Sequence, residues 1–192
     1  MPTFQPAPAS WFPTRKAAQV AAFFIREAGG SINVLRLVKL VYLADRRNLE
    51  KYDYPVIGDN FVSMPFGPVN SMTLNYIDGR INDRRNEWSE FVSSRTSQKL
   101  RLAKPIELDG LDELSDADLA TLAETWDQFR TIVDQFALAE WTHQYCPEWS
   151  DPNGSSIPIE YHEIFKVLGK SDPFGRQASI MADRELAANL RV

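Results

Sequence analysis

The chain has 192 residues, 44% of them hydrophobic, and its 11 Phe, 6 Tyr and 5 Trp can fill the core of a single domain. The formal net charge of -5 supplies no global basic field for nucleic acid or an anionic membrane. One cysteine excludes an internal disulfide, and Met1-Pro2-Thr3-Phe4 lacks the basic-then-apolar pattern of a secretory signal, so the cytoplasm is the expected location.

Residues 1–13 carry Pro2, Pro6, Pro8 and Pro13, a density that disfavours helix and predicts an extended arm. Trp11 and Phe12 at its end are candidates to dock on the domain or on a partner. Residues 14–192 are expected to form one domain. Its first helix covers residues 15–28, with Thr14 as a candidate N-cap and Gly29 as the stop.

Between Val34 and Ala44 every residue is apolar except Arg36 and Lys39. So short a run cannot cross a bilayer and reads as a helix buried nearly all round at the centre of the domain. Asn33 is its candidate N-cap, and Pro55 prevents continuation much past Asp53. The 3/4 spacing puts Asp45 on the apolar side, where an unpaired carboxylate is costly, so an ion pair or a cap contact is expected for it. Lys39 falls on the opposite, partly polar stripe and is expected to be solvated or to snorkel.

Ile57-Gly58-Asp59-Asn60 punctuates the chain, and Phe61-Val62-Ser63-Met64 is a short β-prone run. Gly67-Pro68 is expected to open a third helix that ends near Gly79, with Pro68 at its first position. Arg80, Arg84 and Arg85 then form a local basic patch in a solvated loop. Period-2 alternation around Trp88 and again around Leu100 predicts one small antiparallel β-hairpin between about residues 87 and 104. Ser115-Asp-Ala-Asp118 has the form of a capping box, and an amphipathic pattern runs from Leu119 to Tyr145. That length predicts a break near residues 131–136, against the alternative of a coiled-coil seam. Pro147 to Pro158 reads as loop, Ile159 to Leu168 as a short helix and Asp172-Pro173 to Asn189 as the last helix. The fold class is therefore mainly α (α+β): a single globular helical domain around a buried central helix, with one small hairpin.

Three ordered segments carry more than periodicity. They are Lys39-Leu-Val-Tyr42-Leu-Ala-Asp45, Tyr54-Pro-Val-Ile-Gly58-Asp and Met64-Pro-Phe-Gly67-Pro68-Val69. A fourth is Thr142-His143 followed by Pro147-Glu-Trp149. Together they resemble the Panacea-domain family of SocA-like antitoxins and phage-associated proteins, over about residues 15 to 170. Asp53-Tyr54 stands where the family usually has a Tyr-Gly turn, and Tyr145 and Cys146 follow His143. The resemblance implies an antitoxin that neutralises a toxin protein encoded beside it by direct binding. The motif residues Lys39, Tyr42, Asp45, Gly58, Gly67, Pro68, Thr142, His143 and Trp149 are then structural.

Read from the residues themselves, catalysis and metal binding are disfavoured. His143, Cys146 and Glu148 lie close in sequence, with His162-Glu163 farther on, but a zinc site needs a fourth ligand and paired spacing. A Cys146–His143 nucleophilic pair lacks an orienting third group. There is no phosphate loop or dinucleotide fingerprint, so no cofactor is expected. His143 reads instead as a helix-end residue bonded to the loop that Trp149 closes. Candidate partner anchors are Trp11, Phe12, Arg84, Arg85, Trp88 and Trp149, because exposed aromatic and Arg side chains dominate such surfaces. The alternatives are an adaptor that delivers a bound toxin to a AAA+ protease, and a DNA-binding regulator. The latter is disfavoured because the central helix is too apolar for a groove of DNA. A homo-oligomer stays open, and no membrane partner is expected.

Overall fold

The computed structural model describes residues 9–190. The expected arm at residues 1–8 lies outside these. In chain order the elements are α1 (Thr14–Glu27), β1 (Ser31–Asn33), α2 (Val34–Tyr52), β2 (Phe61–Met64), β3 (Gly67–Asn70), α3 (Ser71–Ile77), β4 (Lys99–Arg101), α4 (Asp116–Phe129), α5 (Gln135–Tyr145), β5 (Ile157–Ile159), α6 (Tyr161–Val167) and α7 (Pro173–Leu190). A short 3-10 turn at Leu108–Gly110 precedes α4. The domain is mainly helical, with two small antiparallel sheets ordered β1-β4 and β3-β2-β5. No helix among the described residues is long and apolar enough to cross a membrane.

Helix α2 is the centre of the fold, packed by α1, α4, α5 and β3. Asn33 caps it as expected, its Oδ1 accepting from the backbone N–H of Leu35 at 2.8 Å. At the other end Asp53 adopts φ 60, and its N–H returns to the Leu49 carbonyl. The N-terminal half of the stripe read as polar is covered too. Arg36 is buried, lying 5.2 Å over the Trp126 ring and donating to the Arg130 carbonyl, and Lys39 has no exposed surface.

The long amphipathic run divides where its length required. Ser115 and Asp118 form the capping box of α4, and Asp134 caps α5 by accepting from Phe136 and Ala137. The intervening residues turn the chain so that both helices lie on α2. Ile159 and Glu160 belong to β5 and the α6 cap, so the helix expected from Ile159 begins at Tyr161.

Three local expectations are corrected. Gly67 and Pro68 do not open a helix: they sit in β3, with Met64 opposite Gly67 and Ser63 opposite Pro68. The φ imposed by proline suits an edge strand as well as a first helical turn, and β3 is the edge of its sheet. Helix α3 begins only at Ser71. The tight hairpin of the fold is thus β2–β3. Around Trp88 the chain makes turns, with Asp83 accepting from the N–H groups of Trp88 and Ser89. Of the hairpin expected at 87–104 there remain the Val92–Leu102 and Thr96–Lys99 bridges, while β4 pairs with β1 instead. Thr14 is the first residue of α1 and not its cap, and its hydroxyl meets the Tyr76 hydroxyl at 2.9 Å.

Candidate functional site

The motif residues converge from four distant segments around α2. Lys39, Tyr42, Asp45 and Arg46 project from that helix, the β2–β3 hairpin lies across it, and the C-terminal end of α5 with its following loop closes the assembly.

Lys39 donates to the Pro68 carbonyl at 2.8 Å. Burial pulls its ammonium down to about 7, against a small opposing effect of Cys146. The expectation of a solvated lysine is overturned because β3 and α5 cover this stripe of α2. Gly67 takes φ +97, and a Cβ there would overlap the Thr142 hydroxyl and come within 3.1 Å of Lys39 Nζ. Both the backbone angle and the close approach therefore require glycine. The Thr142 hydroxyl itself donates to the Ala139 carbonyl at 2.7 Å.

The loop after α5 docks on β2. The Trp149 indole N–H donates to the Met64 carbonyl at 3.0 Å, and the Ser150 N–H donates to Ser63 Oγ at 3.2 Å. The Trp149 ring stacks on His143, with centroids 3.9 Å apart and planes 16° from parallel. His143 thus contacts this loop by stacking. Its Nδ1 is 3.6 Å from Glu140, and its buried Nε2 finds no partner among the described residues.

Glu148 is the counter-charge of the assembly. Its fully buried carboxylate accepts from Arg46 Nε at 2.6 Å and from the Tyr42 hydroxyl at 2.5 Å. Burial lowers the Arg46 guanidinium, and Glu148 more than reverses this, leaving Arg46 raised. Burial drives the Tyr42 hydroxyl well above its usual range. Cys146 is buried beside them, its thiol pushed up to about 12 chiefly by loss of solvent. Such a thiol carries almost no thiolate at neutral pH, so the Cys146–His143 pair is a poor nucleophilic centre.

Asp45 is held on the apolar side with no ion pair among the described residues. It accepts from the Ile57 N–H at 2.8 Å and from Asn70 Nδ2 at 2.6 Å, and burial raises it to about 7. Gly58, at φ +80, turns the chain between Ile57 and Asp59. The Asp59 carboxylate then accepts from Met72 N–H, Thr73 N–H and the Thr73 hydroxyl, capping α3 in place of the Asn70 side chain, which makes no cap bond. Burial lifts Asp59 to about 6.

The candidate anchors have different fates. Phe12 and Trp88 are buried on either side of Tyr76, at ring separations of 5.7 and 5.4 Å, and so are core residues. Trp11 is half-buried under Arg184, whose guanidinium sits 4.4 Å from its ring. Trp149 is half-buried in the loop just described. Arg84 and Arg85 are exposed and border a cavity of about 350 Å³ that is also lined by Arg15, Lys16, Asp83, Glu87 and Glu113.

Val133 and Phe136, which the 3/4 spacing puts on the apolar face of the long amphipathic run, are exposed because the chain turns between α4 and α5, and Phe66 is exposed as well. Phe66 and Phe136 meet edge to face at 5.8 Å, on the rim of a groove of about 470 Å³. Their signal was present in Pro65-Phe66, at the tip of a two-residue turn, and in Phe136 beside the Asp134 cap, where a side chain on the outer face of α5 begins.

The groups most able to do chemistry are therefore consumed inside the protein. Lys39 is bonded to a backbone carbonyl, Glu148 is neutralised by Arg46, and Asp45 and Asp59 hold backbone and amide donors. The arrangement fixes a hairpin and a loop on a central helix. No curated protein and no solved structure matches this chain. The profile of the family described as antitoxin SocA-like, Panacea domain, matches residues 37–150, which contain all nine motif residues. The chain belongs to the SocA-like Panacea-domain antitoxin family.

Proposed function

We propose that this protein is the neutralising member of a toxin–antitoxin pair, that it works in the cytoplasm, and that it acts by binding its toxin and not by catalysis. The observation that carries the reading is the family match over residues 37–150, combined with the inward direction of the motif polar groups. Residues recurring in a family of binders are here used to shape a scaffold, which leaves recognition to its surface. A lowered pKa fits an amine nucleophile, but Lys39 has no surface open to solvent and its Nζ is bonded to the Pro68 carbonyl.

The test is co-expression with the adjacent reading frame. The neighbour alone should arrest growth, the pair should grow, and affinity purification of this protein should recover the neighbour in a stable complex. Protection without a recoverable complex would replace sequestration by delivery to a protease or by repression. A neighbour that is harmless alone would end the antitoxin reading.

A further inference from the structure

The groove beside the motif assembly is floored by the first turns of α2, with Leu35 and Val38, and walled by Met64, Phe66, Val69 and Phe136. Its rim exposes large apolar side chains: Phe66 keeps 55% of its surface in solvent, Phe136 54%, and nearby in the α4–α5 turn Val133 keeps 68%. The first turn of α5 is apolar on two sides. Leu138 and Ala139 face the core, while Phe136 and Ala137 face out. Large apolar side chains gathered on one exposed patch mark a surface that a partner covers.

The charge pattern narrows what covers it. Among the described residues three charged side chains line the groove, and all are already engaged within the protein. Arg95 donates to the Ser97 carbonyl, to Gln98 and to Asp78. Asp78 also pairs with Arg80 at 3.1 Å, and Lys39 is bonded to Pro68. A charged side chain entering here would leave water and meet no free counter-charge, which is unfavourable. The other polar groups are the neutral amides Asn33, Gln98 and Gln135, which suit backbone or neutral side chains.

We infer that the groove between Phe66 and Phe136 is the toxin-docking surface, and that it takes an apolar, uncharged segment of the toxin chain. This rests on the antitoxin reading above. Phe66 and Phe136 are the anchors, and Val133 extends the patch over the α4–α5 turn. The Arg84–Arg85 patch, on a different cavity, is not part of the contact.

The experiment uses the full-length protein and, as probe, the tagged product of the adjacent reading frame. Phe66→Ser, Phe136→Ser and the double variant are compared with Arg84→Ala/Arg85→Ala. Both phenylalanines are more than half exposed, so the variants should melt within a few degrees of wild type. Each single change should weaken the complex at least about tenfold and the double change should abolish protection, as at other aromatic hot spots; the double Arg variant should bind like wild type. In a second arm a photoreactive benzoylphenylalanine replaces Phe66, and the cross-linked toxin peptide is sequenced. It should lack Asp, Glu, Lys and Arg at the attachment site. Full protection by Phe66→Ser/Phe136→Ser, while wild type protects, overturns the groove and leaves the antitoxin reading standing. A charged attachment site overturns the proposed chemistry. A homodimer of the wild type that the double variant splits, with toxin binding unchanged, assigns the groove to a second copy instead. If the wild type itself neither binds nor protects, the antitoxin reading fails and the proposal falls with it.

Discussion

Lys39 Nζ and the Pro68 carbonyl are joined at 2.8 Å in a place water does not reach. One hydrogen bond to a neutral acceptor does not compensate an ammonium for lost hydration, which is why the folded protein holds Lys39 near 7 against the ordinary 10.5. Between those values the unfolded chain binds the proton and the folded chain does not. Stability contributed by this residue therefore rises as pH increases from about 7 to 10.5. Lys39→Met should abolish that rise. Denaturant titrations at pH 6, 8 and 10 will show it, and a wild-type slope retained by the variant would refute the assignment.

Asp45 works in the opposite sense. Its folded pKa of about 7 lies above the ordinary 3.8, so across that window the folded protein keeps a proton that the unfolded chain has released. Stability falls as pH rises from about 4 to 7, and Asp59, raised to about 6, adds to the fall. Asp45→Asn should flatten part of this slope. The substitution can keep both bonds if the Asn70 amide turns over, because Asn70 Oδ1 is buried without a partner among the described residues. Melting curves from pH 4 to 7 on Asp45→Asn are the check, with Asp59 expected to supply the slope that remains.

Gly67 is the position where the family motif is least replaceable. Gly67→Ala meets both a φ of +97 and an overlap with the Thr142 hydroxyl, and should cost about 2–4 kcal/mol. Gly169→Ala is the control: φ is +68 there, but nothing lies within 4 Å of the added methyl, so the cost should be about 1 kcal/mol. Gly67→Ala combined with Thr142→Ala should recover part of the loss. Equal costs at the two glycines would show that the close approach to Thr142 does not matter.

Glu148 holds the loop after α5 through one buried carboxylate. Glu148→Gln leaves Arg46 without its counter-charge and should cost about 2–3 kcal/mol, toward the lower end for a buried pair because Arg46 keeps some contact with water. Trp149 fluorescence should report loosening of the loop before global unfolding. A two-state transition with unchanged stability would remove Glu148 from its role here.

Much of this was readable in advance, and the reasons differ by residue. The burial of α2, its Asn33 cap and the Ser115–Asp118 box follow from spacing and short-range hydrogen bonds, which sequence encodes locally. The break before α5 followed from length alone. Lys39 was misread because its helix face gives a polar stripe, and only tertiary packing of β3 and α5 decides that the stripe is covered. Gly67-Pro68 was misread because the two residues permit two backbone outcomes, and pairing with β2 selects one. Trp88 alternates with its neighbours as a strand would, yet Asp83 captures its backbone N–H and makes a turn. Glu148 and Asp59 were visible within motifs, but their partners lie about a hundred and about fourteen positions away, beyond any local pattern.

Arg184 has a consequence for the order in which the molecule assembles. From α7 it donates to the Asp59 carbonyl and the Tyr161 hydroxyl, and its guanidinium lies over Trp11, 173 positions earlier in the chain. Closing so wide a loop is entropically expensive unless the intervening chain is already compact. Trp11 can settle beside Phe12 early, but its cover must wait until α7 is brought back across the folded chain. The clasp should thus form in the final step of folding. Arg184→Ala should speed unfolding while leaving the refolding rate nearly unchanged, the kinetic mark of a contact absent from the transition state.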